Sequence, residues 1–158
     1  MLNTNPSPFP IAIVVGHFNS DITTQLLRGA ESKLKRLGFL ESDIHVAWVP
    51  GAVELPLAAQ AIAQTKTVEA IITLGAVIQG ETDHYDYVCQ MVSRGCLDVM
   101  LKYDIPVIFG VLTAQTEEQA HARVGGDAGH KGEEAVEAAI QMITTLRQIR
   151  MWGRNGHV

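Results

Sequence analysis

The chain has 158 residues, enough for one compact domain whose core needs no disulfide or metal to hold it. Hydrophobic residues make up 47% of it and charged residues 18%, which excludes an intrinsically disordered chain. A net charge of −5 argues against broad attraction to nucleic acid or an anionic membrane surface, so an anionic ligand would need a local site.

No apolar run approaches the ~20 residues that span a bilayer. Met1 to Pro10 lacks the charged-then-apolar pattern of a secretory leader, and residues 1–9 read as an N-terminal arm. Cys89 and Cys96 lie seven apart in a stretch that reads as helix. Two turns set their Cα atoms roughly 10 Å apart, too far for a disulfide. Reduced thiols without a leader make the cytoplasm the expected location.

Ile11 to Val15 is a continuous apolar run ending at Gly16, the pattern of a strand buried on both faces. A helical period follows through Ile22, Leu26, Leu27, Ala30, Leu34 and Leu37. Ser20 or Asp21 is expected to cap it, and Gly38 to end it in the left-handed conformation. Ile44 to Val49 is a second strand, stopped by Pro50-Gly51. Ala52 to Gln64 reads as a short helix with Pro56 in its first turn, where a missing N–H does no harm. Ala70 to Leu74 forms the heart of a third strand that runs on past Gly75.

A long helix is predicted from His84 to Tyr103, a fourth strand from Pro106 to Leu112, and helices over Thr116–Val124 and Gly132–Met151. Trp152 to Val158 has no period and reads as a frayed tail. Strands alternating with helices imply a four-stranded parallel sheet covered on both faces, one domain over residues 1–158. In such sheets ligands bind beyond the carboxyl ends of the strands. That directs attention to the loops Gly16–Ser20, Pro50–Glu54, Gln79–Asp83 and Thr113–Gln115.

The loop Gln79-Gly80-Glu81-Thr82-Asp83-His84 joins a buried strand to a helix N-terminus, whose free N–H groups and dipole suit a phosphate or carboxylate. Thr82 adds a hydroxyl, and His84 beside a bound phosphate could shuttle protons. The competing reading is that Thr82 or Asp83 caps the helix and His84 is an ordinary surface residue. Phe18, just past a strand end, could stack on a planar heterocycle or close the core. Phe109, within the fourth strand, reads locally as structural. Arg123 and Lys131 flank the flexible Gly125–Gly129 segment and are free either to reach an anion or to remain solvated. His17, His45, His121, His130 and His157 show no metal spacing. Neither a dinucleotide fingerprint nor a P-loop is present, so no metal or nucleotide cofactor is expected.

Five segments in order resemble the lumazine synthase family: Gly16-His17-Phe18-Asn19; Trp48 to Pro56; Gly75 to Val88; Pro106 to Thr113; and Gly129-His130-Lys131-Gly132. The resemblance runs from about Ile11 to Arg150. It implies a flavodoxin-like three-layer α/β/α sandwich and the penultimate step of riboflavin biosynthesis. In that step 5-amino-6-(D-ribitylamino)uracil condenses with 3,4-dihydroxy-2-butanone 4-phosphate to give 6,7-dimethyl-8-ribityllumazine, with release of phosphate and water. It further implies no cofactor, and homopentamers with sites shared between subunits. The short Arg123–Lys131 loop has the spacing of members that assemble further into icosahedral shells.

By the same resemblance, Phe18 stacks on the pyrimidinedione. Ala52, Val53, Glu54, Ala76, Val77 and Ile78 bind the ribityl chain and ring edge. Glu81 and Thr82 meet the butanone phosphate through their backbone, with Arg123 as its guanidinium partner and Lys131 as a further cation. His84 is the proton donor, and Phe109 arrives from the adjacent subunit. Four positions depart from the family pattern. His17 and Gln79 stand where Arg is usual, Asp83 where Thr, Ala or Pro is commoner, and Val53 where Phe or Leu is frequent. The mouth of the site is thereby less positive, which predicts weaker phosphate binding. Two other functions suit the same residues: a flavin- or lumazine-binding module without catalysis, and a shell-forming paralogue with silent sites.

Overall fold

The computed structural model describes residues 6–155. Its elements follow the alternation predicted: β1 (Ile11–Gly16), α1 (Ser20–Arg36), β2 (Ile44–Val49), α2 (Leu55–Thr65), β3 (Ala70–Ile78), α3 (His84–Tyr103) and β4 (Val107–Ala114). Then come α4 (Glu117–Ala122), a two-stranded ribbon of β5 (Val124–Gly126) and β6 (Gly129–His130), and α5 (Lys131–Asn155). The four main strands pair in parallel in the order β2-β1-β3-β4. The central pair is apolar apart from Thr73 because neither face meets water: every residue of β1 is buried, and all of β3 except Ile78.

Side-chain alternation divides the interior into two cores. Ile11, Ile13 and Val15 of β1, with Ile72 and Leu74 of β3, pack under α1 and α5. Ala12, Val14, Ile71 and Val111 face the other way, onto Leu55 and Ala59 of α2 and Val92, Cys96 and Val99 of α3. The result is the three-layer α/β/α sandwich of the flavodoxin-like class. Thr73, fully buried in β3, satisfies its hydroxyl by donating to the Ile108 carbonyl at 2.8 Å.

Several boundaries differ from expectation, each for a local reason. Neither Ser20 nor Asp21 caps α1; the cap position is Asn19, held left-handed at φ 59°, and no side chain caps the end. At the other end Gly38 does adopt the left-handed conformation, with φ 92°. The segment Ala52–Glu54 forms a 3₁₀ turn, and the α-helix proper begins at Leu55 with Pro56 in its first turn. β4 extends two residues beyond Leu112 because it pairs with β3 as far as Ala114. The helix expected over 116–124 is only Glu117–Ala122, since Val124 leaves it to pair with His130.

α5 continues through Trp152 to Asn155, and residues 156–158 of the expected tail lie outside the described residues. Residues 1–5 of the arm also lie outside them, whereas Phe9 is buried edge-on to Phe39 at 5.2 Å between ring centres. Cys89 and Cys96 are free thiols. No helix among the described residues is long and apolar enough to cross a membrane.

Candidate active site

The strand order reverses between β1 and β3: the connection after β1 leads to β2 on one side, the next leads back to β3 on the other. Their carboxyl ends therefore splay two loops apart, and an open α/β sheet offers its crevice there. A groove of about 470 Å³ occupies this position. Phe18 and Asn19 after β1, Pro50 to Glu54 after β2, and Ala76 to Ile78 at the end of β3 line it. Gly80, Thr82, His84, Tyr85 and Val88 complete the wall.

The loop carrying Phe18 is held by its backbone. His17 N–H donates to the Val49 carbonyl at 2.8 Å, and Phe18 N–H donates to that of Pro50 at 2.9 Å. The His17 ring also stacks on Trp48, 4.6 Å between centres, so this departure from the family pattern packs against the adjacent strand β2. Asn19 Nδ2 donates to the Ala76 carbonyl at 2.9 Å and so bridges the crevice. With its backbone fixed, Phe18 leaves its ring 73% exposed, which answers the choice between core closure and stacking platform in favour of exposure.

His84 begins α3, and its N–H donates to Thr82 Oγ1 at 3.3 Å. Thr82 therefore does act in the local capping of the helix start, while Asp83, at the cap position, makes no side-chain cap bond. Both His84 and Thr82 nevertheless face the groove. Glu81, between Gly80 and Thr82, is exposed. Gln79 is tied down by its N–H to the Ala114 carbonyl at 2.9 Å.

Arg123 and Lys131 are not in this groove. They line a separate one of about 280 Å³ with Val111 to Thr113, Ala128 and Glu134. The two cations are adjacent because Lys131 N–H donates to the Arg123 carbonyl at 2.8 Å across the base of the β5–β6 ribbon. Phe109 is in neither groove. It pairs with Thr73, three residues before Leu112 draws level with Ala76, and so lies roughly 10 Å back along the sheet. Its ring is 36% exposed on an edge strand.

The sequence-predicted residues thus fall into four places within one chain. Phe18, Ala52, Val53, Glu54, Ala76, Val77, Ile78, Thr82 and His84 share the first groove, Arg123 and Lys131 the second, Phe109 the outer edge, and Glu81 lies exposed in the loop beside the first groove without lining it. Asn19 and Tyr85 were not singled out from the sequence, although both line the first groove. Asn19 had a signal: apart from glycine, Asn is the residue best able to turn left-handed between a strand and a helix. No group of three or more His, Cys, Asp or Glu side chains among the described residues is placed to hold a metal ion.

Comparison with known proteins identifies the family. The profile of the family described as 6,7-dimethyl-8-ribityllumazine synthase matches residues 8–147. Two curated proteins named 6,7-dimethyl-8-ribityllumazine synthase, from Coxiella burnetii strains CbuG_Q212 and RSA 493 / Nine Mile phase I, are each 51% identical to this chain over 145 residues. The match covers 92% of this chain and 96% of each relative. The chain belongs to the 6,7-dimethyl-8-ribityllumazine synthase family.

Proposed function

We propose that this protein joins 5-amino-6-(D-ribitylamino)uracil to 3,4-dihydroxy-2-butanone 4-phosphate, forming 6,7-dimethyl-8-ribityllumazine with loss of phosphate and water. The observation that carries the reading is the groove at the β1–β3 switch point, where an exposed ring, Phe18, shares one wall system with His84 and the N-terminus of α3. The ring of Phe18 receives the pyrimidinedione face, and residues 52–54 and 76–78 hold the ribityl chain and ring edge. The phosphate sits at the backbone of Glu81 and Thr82, opposite Arg123 and Lys131.

The chemistry asks for proton movement and fixed geometry. An amine condenses with a ketone and releases one water, phosphate is eliminated, and the ring closes with loss of a second water. His84, at the mouth of the groove, gives and takes the protons. No step calls for a strong nucleophile from the chain.

Each site is completed by a neighbouring copy, which brings Phe109, Arg123 and Lys131, and the assembly is a homopentamer or a multiple of it. Two features support this. The two cations open into a different groove from His84. In addition, α3 exposes Tyr87, Met91, Leu97 and Leu101 on the side away from its core residues, and α2 exposes Leu57 nearby in sequence to the groove. Such a surface is suited to burial against another copy. The chain works as one domain in the cytoplasm.

The test is incubation with both substrates, following lumazine absorbance and phosphate together. Equal release of the two supports the synthase reading. Binding of lumazine or riboflavin with no phosphate release would instead make the protein a carrier.

A further inference from the structure

The ring of His130 occupies a socket that the neighbouring helix makes for it. Gly29 stands in the middle of α1, where glycine is the poorest helix former apart from proline. Its φ is not positive, so the backbone does not require it. What requires it is space: a Cβ at Gly29 would overlap Cε1, Nε2 and Nδ1 of the His130 imidazole. Gly132, at the start of α5, is needed for a related reason, since a Cβ there would overlap the Leu26 carbonyl oxygen of α1. The ring is fixed in orientation as well as place. Its Nδ1 accepts the Gly132 N–H at 3.1 Å, an i to i+2 bond of the kind Asn and Asp side chains make in turns.

His130 itself lines neither groove. It is, however, the residue directly before Lys131, and it pairs with Val124, directly after Arg123. The backbone bond from Lys131 to Arg123 then joins the two cations at the base of the ribbon. Across the same seam α1 and α5 are linked by Lys33–Glu137 at 2.9 Å and by Arg36–Glu133. A shift of the His130 ring would therefore re-aim both cations while leaving the Phe18–His84 groove untouched.

We propose that His130, seated against Gly29 and bonded to Gly132, is a positioning residue that sets Arg123 and Lys131 for the phosphate of the substrate. The proposal rests on the reading of those two cations as the phosphate side of the site. It separates two tasks of the ring, filling the socket and accepting a hydrogen bond, and each has its own variant. His130→Asn keeps an acceptor for the Gly132 N–H but leaves the socket part empty. His130→Leu fills the socket and accepts nothing. Gly29→Ala blocks the socket with the histidine in place, and Gly29→Ala combined with His130→Asn removes that clash.

The experiment measures KM for each substrate and inhibition by inorganic phosphate in these variants and in Arg123→Ala. His130→Leu and Gly29→Ala should raise the phosphate-substrate KM and the phosphate inhibition constant about five- to tenfold, what one lost positioning bond is worth. The KM for ribitylaminouracil should stay within about twofold in the same variants. His130→Asn should remain near wild type, and the double variant should recover most of what Gly29→Ala loses. Should Gly29→Ala fail to fold, the contrast between Asn and Leu at position 130 decides alone. Equal values for those two, or parallel rises in both KM values, overturn the proposal while Arg123→Ala still weakens phosphate. If Arg123→Ala leaves phosphate binding unchanged, the assignment of the phosphate side is itself wrong and the proposal falls with it.

Discussion

Asn19 and Ala76 are joined at 2.9 Å across the point where the strand order reverses, the amide of one donating to the carbonyl of the other. A helix-capping Asn ordinarily turns its side chain toward the helix N–H groups. Asn19 instead sends it over to β3, and so fixes the distance between the loop that carries Phe18 and the strand that forms the opposite wall. Replacing it by Gly keeps the left-handed backbone and removes the bridge; replacing it by Ala loses both. Asn19→Gly should cost about 1 kcal/mol and Asn19→Ala about 2 kcal/mol or more in chemical denaturation. Both should raise the KM for ribitylaminouracil. Equal stability losses in the two variants would mean that the backbone conformation contributes nothing.

Phe18 should behave as a binding residue with little part in folding. With its ring 73% exposed, Phe18→Ala should shift stability by no more than about 0.5 kcal/mol. Stacking and burial of a ligand ring are together worth enough to weaken ribitylaminouracil binding about tenfold or more. Phe18→Trp should retain most of the affinity. Calorimetric titration beside thermal melts separates the two quantities, and a large drop in melting temperature for Phe18→Ala would return the ring to the core.

His84 should show the complementary pattern. His84→Ala removes a proton carrier at the head of α3 without emptying a buried space, since the residue is exposed. The expected result is a fall of about 10²-fold in kcat, with both KM values little changed. Steady-state kinetics checks it; an unchanged kcat would leave His84 with only the surface role that its spacing also allows.

Cys96 links burial to alkaline stability. Burial pushes its thiol above the ordinary value of 9.0, partly opposed by a hydrogen bond with Thr73. The folded state then keeps a proton that the unfolded chain releases. The stabilisation is complete below the unfolded value and is lost as pH climbs through the folded one. Denaturation curves should show stability declining above pH 9.0 more steeply for the wild type than for Cys96→Ala. Parallel slopes would show that other groups account for the decline.

How much of this was legible in the sequence depended on how local each cause was. β1 and β3 could be read because strands buried on both faces are apolar without alternation, and α3 because its long helical stretch begins directly after a polar turn. The β5–β6 ribbon was not legible. Val124–Gly126 is too short and too rich in glycine to carry a strand pattern, and its partner His130 packs against Gly29 of α1, far away in sequence. In the site, the spacing of Thr82 and His84 announced a helix start with polar groups, but could not say whether they face a ligand. Phe109 looked structural because its exposure follows from lying on an edge strand, which is a property of the strand order and not of the residues around it. Its assignment to a neighbouring subunit's site rests on the resemblance, since local pattern carries no such signal.

The central claim is that His84 and Arg123 of the same chain serve different sites, and mixing subunits tests it most directly. His84→Ala and Arg123→Ala proteins, each of low activity alone when the phosphate substrate is held well below the KM of Arg123→Ala, are unfolded together at equal concentration and refolded as mixed assemblies. If every site takes His84 from one copy and Arg123 from its neighbour, random mixing makes about a quarter of the sites wholly wild type. Activity should return to about a quarter of that of wild-type protein treated the same way. If the mixture stays as inactive as the two variants refolded apart, while size measurements show that mixed assemblies have formed, His84 and Arg123 act within one chain and the shared-site account is wrong.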